Sequence, residues 1–230
     1  MGAAELIHDG IYLVGGPSVS HFQDAAVFII DCGEELVMID SGAGKSAQTL
    51  EANMRSIPGG AKRLSTLILT HCHVDHIGSA RYFRDATGCT VVAHDLDADA
   101  IESGDPRVTA ASWYNTKLPR TPVDRRITGA IETLSAGGNE IHCIHTPGHT
   151  PGSMSVYLDR AGKRILFGQD IHGPFSDDFH SDIQAWRQSM EKLLDLDADI
   201  LCEGHFGIFS GRERVRKYIN GYLDQYTNEY

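Results

Sequence analysis

Thr70-His71-Cys72-His73-Val74-Asp75-His76 gathers three imidazoles and a carboxylate into one short stretch. These are ligand types that suit zinc, iron or manganese in open, reactive sites. The apolar run Leu67-Ile68-Leu69-Thr70 reads as a short buried strand leading into His71. In extended backbone His71 and His73, two residues apart, project to the same side. Asp75 and His76 fall on the turn into a helix, from which they can face a second centre. Scattered surface histidines would produce H-x-H-x-D-H in roughly 0.3% of chains of this composition, so the cluster reads as functional.

Three further residues bring the set to seven. His149 sits in Thr146-Pro147-Gly148-His149-Thr150-Pro151-Gly152, Asp170 follows Ile165-Leu166-Phe167 and Gly168, and His205 follows Ile200-Leu201-Cys202 with Gly204 before it. Each stands just past the expected end of a strand, where loops on a rigid scaffold carry catalytic groups. Asp40, in Met38-Ile39-Asp40-Ser41-Gly42, ends another buried strand and is placed to orient a ligating histidine. The plainer reading of Asp40 is a turn-capping residue. His172 is a candidate for the pocket wall or a solvated loop histidine. Cys72 and Cys202, although beside candidate ligands, read as small buried hydrophobes rather than thiolates. His8, His21, His94, His142, His145 and His180 carry no functional expectation. Arg212, Arg214, Arg216 and Lys217 read as a solvated helix start, with anion recognition as the lesser alternative.

The elements that must position these groups follow from periodicity. Strands are expected at Ile11–Val14, Ala26–Ile30, Leu36–Ile39, Thr90–Ala93, Ile141–His145, Met154–Leu158 and Arg164–Phe167, with Ile200–Cys202 as a shorter one. Helices are expected at Ala47–Ile57, closed by Pro58-Gly59-Gly60, and from Asp75 to Thr87, stopped by Gly88. One amphipathic helix carries Ile183, Trp186, Met190, Leu193 and Leu194, and a last one carries Val215, Tyr218, Ile219, Tyr222 and Tyr226. From Asp95 to Arg126 the pattern loosens around Pro106, Pro119 and Pro122. Such a segment inside a compact domain reads as a lid, with Trp113-Tyr114 covering substrate or forming a satellite core.

Composition narrows the class. The net charge of −11 counsels against a nucleic-acid partner. No apolar run approaches the ~18 residues of a membrane span. The opening MGAAELIHDGIYLV has no basic region before an apolar core, so no signal peptide and a cytoplasmic location are expected. Five cysteines without a C-x-x-C pair fit reduced thiols. No serine or cysteine stands in a convincing G-x-S-x-G setting.

The motifs H-C-H-V-D-H and T-P-G-H-T-P-G-S, the lone Asp170 and the Gly204-His205 pair resemble the metallo-β-lactamase superfamily along nearly the whole chain. The resemblance implies an α/β fold, an αββα sandwich of two β-sheets flanked by helices, as one domain over 1–230 with a lid or insert at about 95–126. It implies two divalent metal ions, zinc first and iron or manganese as alternatives. One is held by His71, His73 and His149, the other by Asp75, His76 and His205, with Asp170 bridging. Asp75 and Asp170 are the implied catalytic residues, and Asp40 matches a further family position. Gln169 stands where the family usually has Gly, and Cys202-Glu203 replaces an apolar-Pro pair.

The activity implied is attack by a metal-activated hydroxide on a small-molecule acyl substrate, a thioester or lactone, as in glyoxalase II-like thioesterases and lactonases. The competing class is a persulfide dioxygenase with one iron on His71, His149 and Asp170. A nuclease would bring an extra domain and a basic groove. The expected partners are therefore a small molecule, with no nucleic acid and no membrane, and homo-oligomerisation left open.

Overall fold

On β3 (Val27–Asp31) Phe28 and Ile30 face one way and Val27 and Ile29 the other, and all four are fully buried. β4 (Glu35–Ile39) repeats this, with Val37 and Ile39 opposite Leu36 and Met38. Strands apolar on both faces must be covered on both. The computed structural model, which describes residues 3–59 and 63–229 and side chains as far as 226, shows how.

The first sheet has the order β1 (Glu5–His8), β2 (Ile11–Gly15), β3, β4, β5 (Arg63–Ile68), β6 (Thr90–His94), β7 (Arg125–Ile127). Pairing is antiparallel as far as β4 and parallel beyond it. The second sheet has the order β13 (Ile208–Ser210), β12 (Ile200–Cys202), β11 (Lys163–Phe167), β10 (Met154–Arg160), β9 (Asn139–His145), β8 (Ile131–Ala136). Only β11 and β12 pair in parallel there. Phe28, Val37, Ile39 and Ile68 from one sheet meet Ile141, Val156 and Phe167 from the other, with the Phe28 and Phe167 rings 5.3 Å apart.

Helices close the outer faces. α1 (Ala47–Arg55), α3 (Ala80–Thr87) and α4 (Asp95–Ser103) set Leu50, Phe83 and Ile101 on the first sheet. α5 (Ile183–Asp195) and α6 (Arg212–Glu229) set Trp186, Met190, Val215 and Ile219 on the second. This is the expected αββα sandwich. Among the described residues, no helix is long and apolar enough to cross a membrane.

Several local expectations need correction. The helix expected from Asp75 to Thr87 is two, α2 (Val74–Ile77) and α3, parted at Gly78-Ser79, where Ser79 leaves helical dihedrals and Gly78 packs against Ala43 and Gly44. A Cβ on Gly78 would come within 2.3 Å of the Ala43 carbonyl carbon. The loosened stretch from Asp95 opens with helix α4, whose acidic sequence D-L-D-A-D-A-I-E-S hides a buried Ala98 and Ile101. β1, β7, β8 and β13 were not expected; they are short or carry several exposed polar residues. The Gly60 expected to help close α1 lies outside the described residues.

Candidate metal centre

β5 ends at Ile68, so His71 and His73 lie beyond the strand, in the connection leading to α2, where His73 keeps extended backbone as the residue capping that helix. The connection brings their rings to 4.7 Å, edge to face. α2 carries Asp75 and His76. The loop after β9 carries His149, the one after β11 carries Asp170, and the one after β12 carries His205. Parallel β4, β5 and β6 and parallel β11 and β12 place these strand ends on one edge of the sandwich.

Among the described residues, ligand atoms of His71, His73, His149 and Asp170 all lie within 4.8 Å of one another. So do those of Asp75, His76 and His205, and those of Asp170, His172 and His205. Asp170 faces both main groups. Its Oδ2 is 3.3 Å from His149 Nε2 and 3.7 Å from His71 Nε2, while its Oδ1 is 3.0 Å from His76 Nε2 and 3.3 Å from His205 Nε2. All seven expected ligand positions thus converge, and His172 joins them beside His205, the ring centroids 5.0 Å apart.

Hydrogen bonds behind the rings decide which nitrogens face inward. His149 Nδ1–H donates to the Pro174 carbonyl at 2.8 Å, leaving a lone pair on Nε2. His76 Nδ1–H donates to Asp40 Oδ2 at 2.7 Å, leaving Nε2 toward Asp170 and His205. Such partners fix the tautomer and orientation of a metal-binding imidazole. Asp40, fully buried, also accepts the Thr70 amide and hydroxyl, each at 2.8 Å, and Gln169 Nε2 at 2.6 Å.

The donor set fits divalent cations. His73 Nδ1 lies 2.9 Å from His149 Nε2, and His76 Nε2 lies 3.3 Å from His205 Nε2. Ring nitrogens this close either share a proton in a hydrogen bond or face a cation set between them. His71 Nε2, His73 Nε2 and Asp170 Oδ1 are buried with no aligned hydrogen-bond partner. Burial, with neighbouring imidazoles, holds His71 and His73 well below the usual histidine pKa, so both are neutral and able to ligate. Burial opposes charge on His76 too, but Asp170, Asp40 and Asp75 outweigh it and raise its pKa well above the usual value. The second group therefore draws positive charge, as a proton or a cation.

Glycines allow this crowding. A Cβ on Gly204 would lie 2.9 Å from Asp170 Oδ1, and one on Gly148 would lie 2.4 Å from the Trp186 backbone nitrogen. α5 secures the His149 loop through Ser189 Oγ, which donates to the Pro147 carbonyl at 2.8 Å.

Two contributors, Asp97 and Phe179, escaped the sequence reading, and two more, Glu203 and Gln169, entered it only as departures from the family pattern. Asp97, on the first turn of α4, accepts the Cys72 amide at 3.0 Å, the Gly152 amide at 2.7 Å and the Thr150 hydroxyl at 2.7 Å. Its acidic neighbours made it look like a solvated face. Glu203, fully buried, accepts His172 Nδ1–H at 3.0 Å and the His205 and Phe206 amides at 2.6 and 2.7 Å. Gln169 braces Asp40. Phe179, buried, stands 4.2 Å from the His73 ring, and the half-exposed Trp113 packs 4.7 Å from Phe179. Tyr114 lies beside Asp75; burial and that carboxylate hold its phenol protonated.

The remaining candidates are placed outside the cluster. Cys72 and Cys202 are buried, and burial raises both thiols above the usual range. Arg212 and Arg216 pair with Asp197, and Arg212 also with Asp199.

Comparison with known proteins finds relatives and fold neighbours. The chain is 26% identical over 226 residues to the acyl-coenzyme A thioesterase MBLAC2 of Gallus gallus, covering 87% of this chain and 79% of the relative. It is 28% identical over 217 residues to the probable metallo-hydrolase YflN of Bacillus subtilis (strain 168), covering 80% and 81%. In fold it matches a motif-mutant metallo-β-lactamase from Cronobacter sakazakii with a TM-score of 0.83, at 19% identity and over 100% and 97% of the two chains. The model of the metallo-beta-lactamase superfamily matches residues 22–205, which span every candidate ligand, and the chain belongs to that superfamily.

Proposed function

We propose that this protein hydrolyses a small-molecule thioester or lactone, using two divalent cations, zinc first among them. His71, His73 and His149 would hold one, Asp75, His76 and His205 the other, and Asp170 would serve both. The observation that carries this is the split of Asp170, Oδ2 toward one histidine group and Oδ1 toward the other. When bound, such cations supply Lewis acidity and activate water near neutral pH.

The chain's own residues do the rest. Asp40 and the Pro174 carbonyl hold His76 and His149 in the ligating tautomer. Phe179 and Trp113 shield the His73 side from water. For a thioester, water oxygen bonds to the acyl carbon, the C–S bond breaks, and the thiol leaves with a proton. The relative described as an acyl-coenzyme A thioesterase supports the thioester side of the reading. The net charge of −11 on this chain supports a partner other than nucleic acid.

The test is metal content together with Asp75→Ala, assayed for thioester and lactone turnover and for oxygen uptake with a thiol persulfide. Two ions per chain are expected, with turnover but no oxygen uptake. Asp75→Ala should lose at least ~100-fold in kcat, the scale of a lost transition-state charge stabiliser. A single ion, with oxygen uptake that survives Asp75→Ala, would replace this reading by the mononuclear dioxygenase.

A further inference from the structure

A cavity of about 200 Å³ opens between the β2–β3 connection and the segment carrying His205. Leu13, Val19, Ala26, Phe28 and Ile208 wall it, and Gly204 and the candidate ligand His205 line it as well, so it borders the metal centre. Gly204 also runs beside Asp170, since a Cβ there would lie 2.9 Å from Asp170 Oδ1.

The wall is preformed. Val19 and Ser20 amides both donate to the Gly16 carbonyl at 3.0 Å, and the Ser20 hydroxyl reaches the buried Asp24. The Ala25 amide donates to the Asp75 carbonyl at 3.1 Å and the Ala26 amide to the Gly204 carbonyl at 2.7 Å. The β2–β3 connection is therefore stitched directly to both segments that carry the second ligand group. Glu203 also borders the cavity, but its oxygens are engaged by His172 and by the His205 and Phe206 amides. It has little left to offer a charged or polar ligand.

We infer, building on the hydrolase reading, that this cavity receives the acyl chain of the substrate and limits its length. A polar thiol carrier neither matches these walls nor fits the volume, so the carrier projects outward and the aliphatic part enters. At about 30 Å³ per water-sized group the space holds about six or seven such groups, which points to short and medium straight chains.

The test uses straight-chain N-acetylcysteamine thioesters from acetyl to dodecanoyl on the metal-loaded protein, with straight-chain alkanols followed by calorimetric titration. kcat/KM should rise about fourfold per methylene (about 0.8 kcal/mol each) as far as about six carbons and then level or fall. Val19→Trp should move the optimum down by two or more carbons, and Ile208→Ala should move it up by one or two, both with unchanged metal content. Turnover with no dependence on chain length, or an optimum that neither variant shifts, overturns the assignment. Absence of turnover on every ester overturns the hydrolase reading instead. In that event alkanol affinity that grows with length and is lost in Val19→Trp still supports the cavity, and flat affinity overturns it.

Discussion

The Thr150 hydroxyl donates to Asp97 Oδ2 at 2.7 Å, fastening the loop of His149 to a carboxylate that also holds the loop of His71 and His73. One buried group thus sets the distance between two ligand-bearing segments 76 residues apart in sequence at their closest ligands, His73 and His149. Asp97 touches no candidate ligand side chain, so its role is to position them.

Replacing Asp97 by Ala leaves two amides and a hydroxyl without their acceptor, each a loss of about 1–3 kcal/mol if it stays dry. We expect a lower Tm and about tenfold weaker zinc binding in chelator competition, the lower end of what lost outer supports cost. Asp97→Asn should recover part of the stability, since it keeps the shape and one acceptor oxygen. Zinc affinity equal to wild type in a folded Asp97→Ala protein would remove Asp97 from the metal machinery.

How far the sequence led depended on range. The seven converging residues were legible because ligand chemistry restricts residue type and because Gly and Pro mark the ligand loops. Strands buried on both faces were legible as apolar runs, and the two-sheet sandwich followed through family resemblance. What was missed depends on partners remote in sequence. Asp97 sits in an acidic stretch like any solvated helix face, and only the fold brings Cys72 and Gly152 to it. Glu203 looked like a departure from pattern until His172 and the His205 amide met it. Short β7 and β13 exist because neighbouring strands offer free edges, which no local periodicity records.

A second prediction concerns pH and lies away from the ligands. His94, at the end of β6, stacks on His145 at 3.8 Å and is 3% exposed; its Nδ1 accepts the Leu96 amide. Burial, then the neighbouring His145, lowers its pKa from 6.5 to about 4. The unfolded chain therefore takes this proton at higher pH than the folded one does. Stability is full above pH 6.5 and is lost as pH falls from 6.5 toward about 4. In urea titrations of metal-free protein, His94→Gln should lose less stability than wild type between pH 7 and 5. Parallel curves would show that His94 is not the group responsible.

The third prediction takes up the segment expected to act as a lid. Trp113 is 56% exposed and rests on Phe179, which in turn packs on His73. Its free face is thus available to a substrate while its other face supports the site. Trp113→Ala should raise KM about 3- to 10-fold, the range of one aromatic contact, with metal content unchanged. Unchanged kinetics would assign Trp113 to packing alone.

The last prediction comes from Gln169, whose φ of 41° lies in the left-handed region that favours glycine. That backbone suits the Gly that the family resemblance implies at this position, and it sets a cost of about 1–3 kcal/mol on any side chain. Against this, Gln169 Nε2 donates to Asp40 Oδ2 at 2.6 Å, and a hydrogen bond to a charged group contributes about 1.5–3 kcal/mol. Asp40, itself at φ 59°, orients His76, so the glutamine stiffens the support of a candidate ligand. The two terms nearly offset in Gln169→Gly, which relieves the backbone while removing the bond. Gln169→Ala removes the bond and keeps the strain. Thermal unfolding should therefore place Gly near wild type and Ala about 1–2 kcal/mol lower, roughly the glycine–alanine difference in a left-handed conformation. Both variants should bind zinc more weakly, by up to about tenfold, because Asp40 loses a donor that fixes it against His76. Equal stability of the Ala and Gly variants would show that the strain is not there, and undiminished zinc affinity in both would show that Asp40 needs no brace.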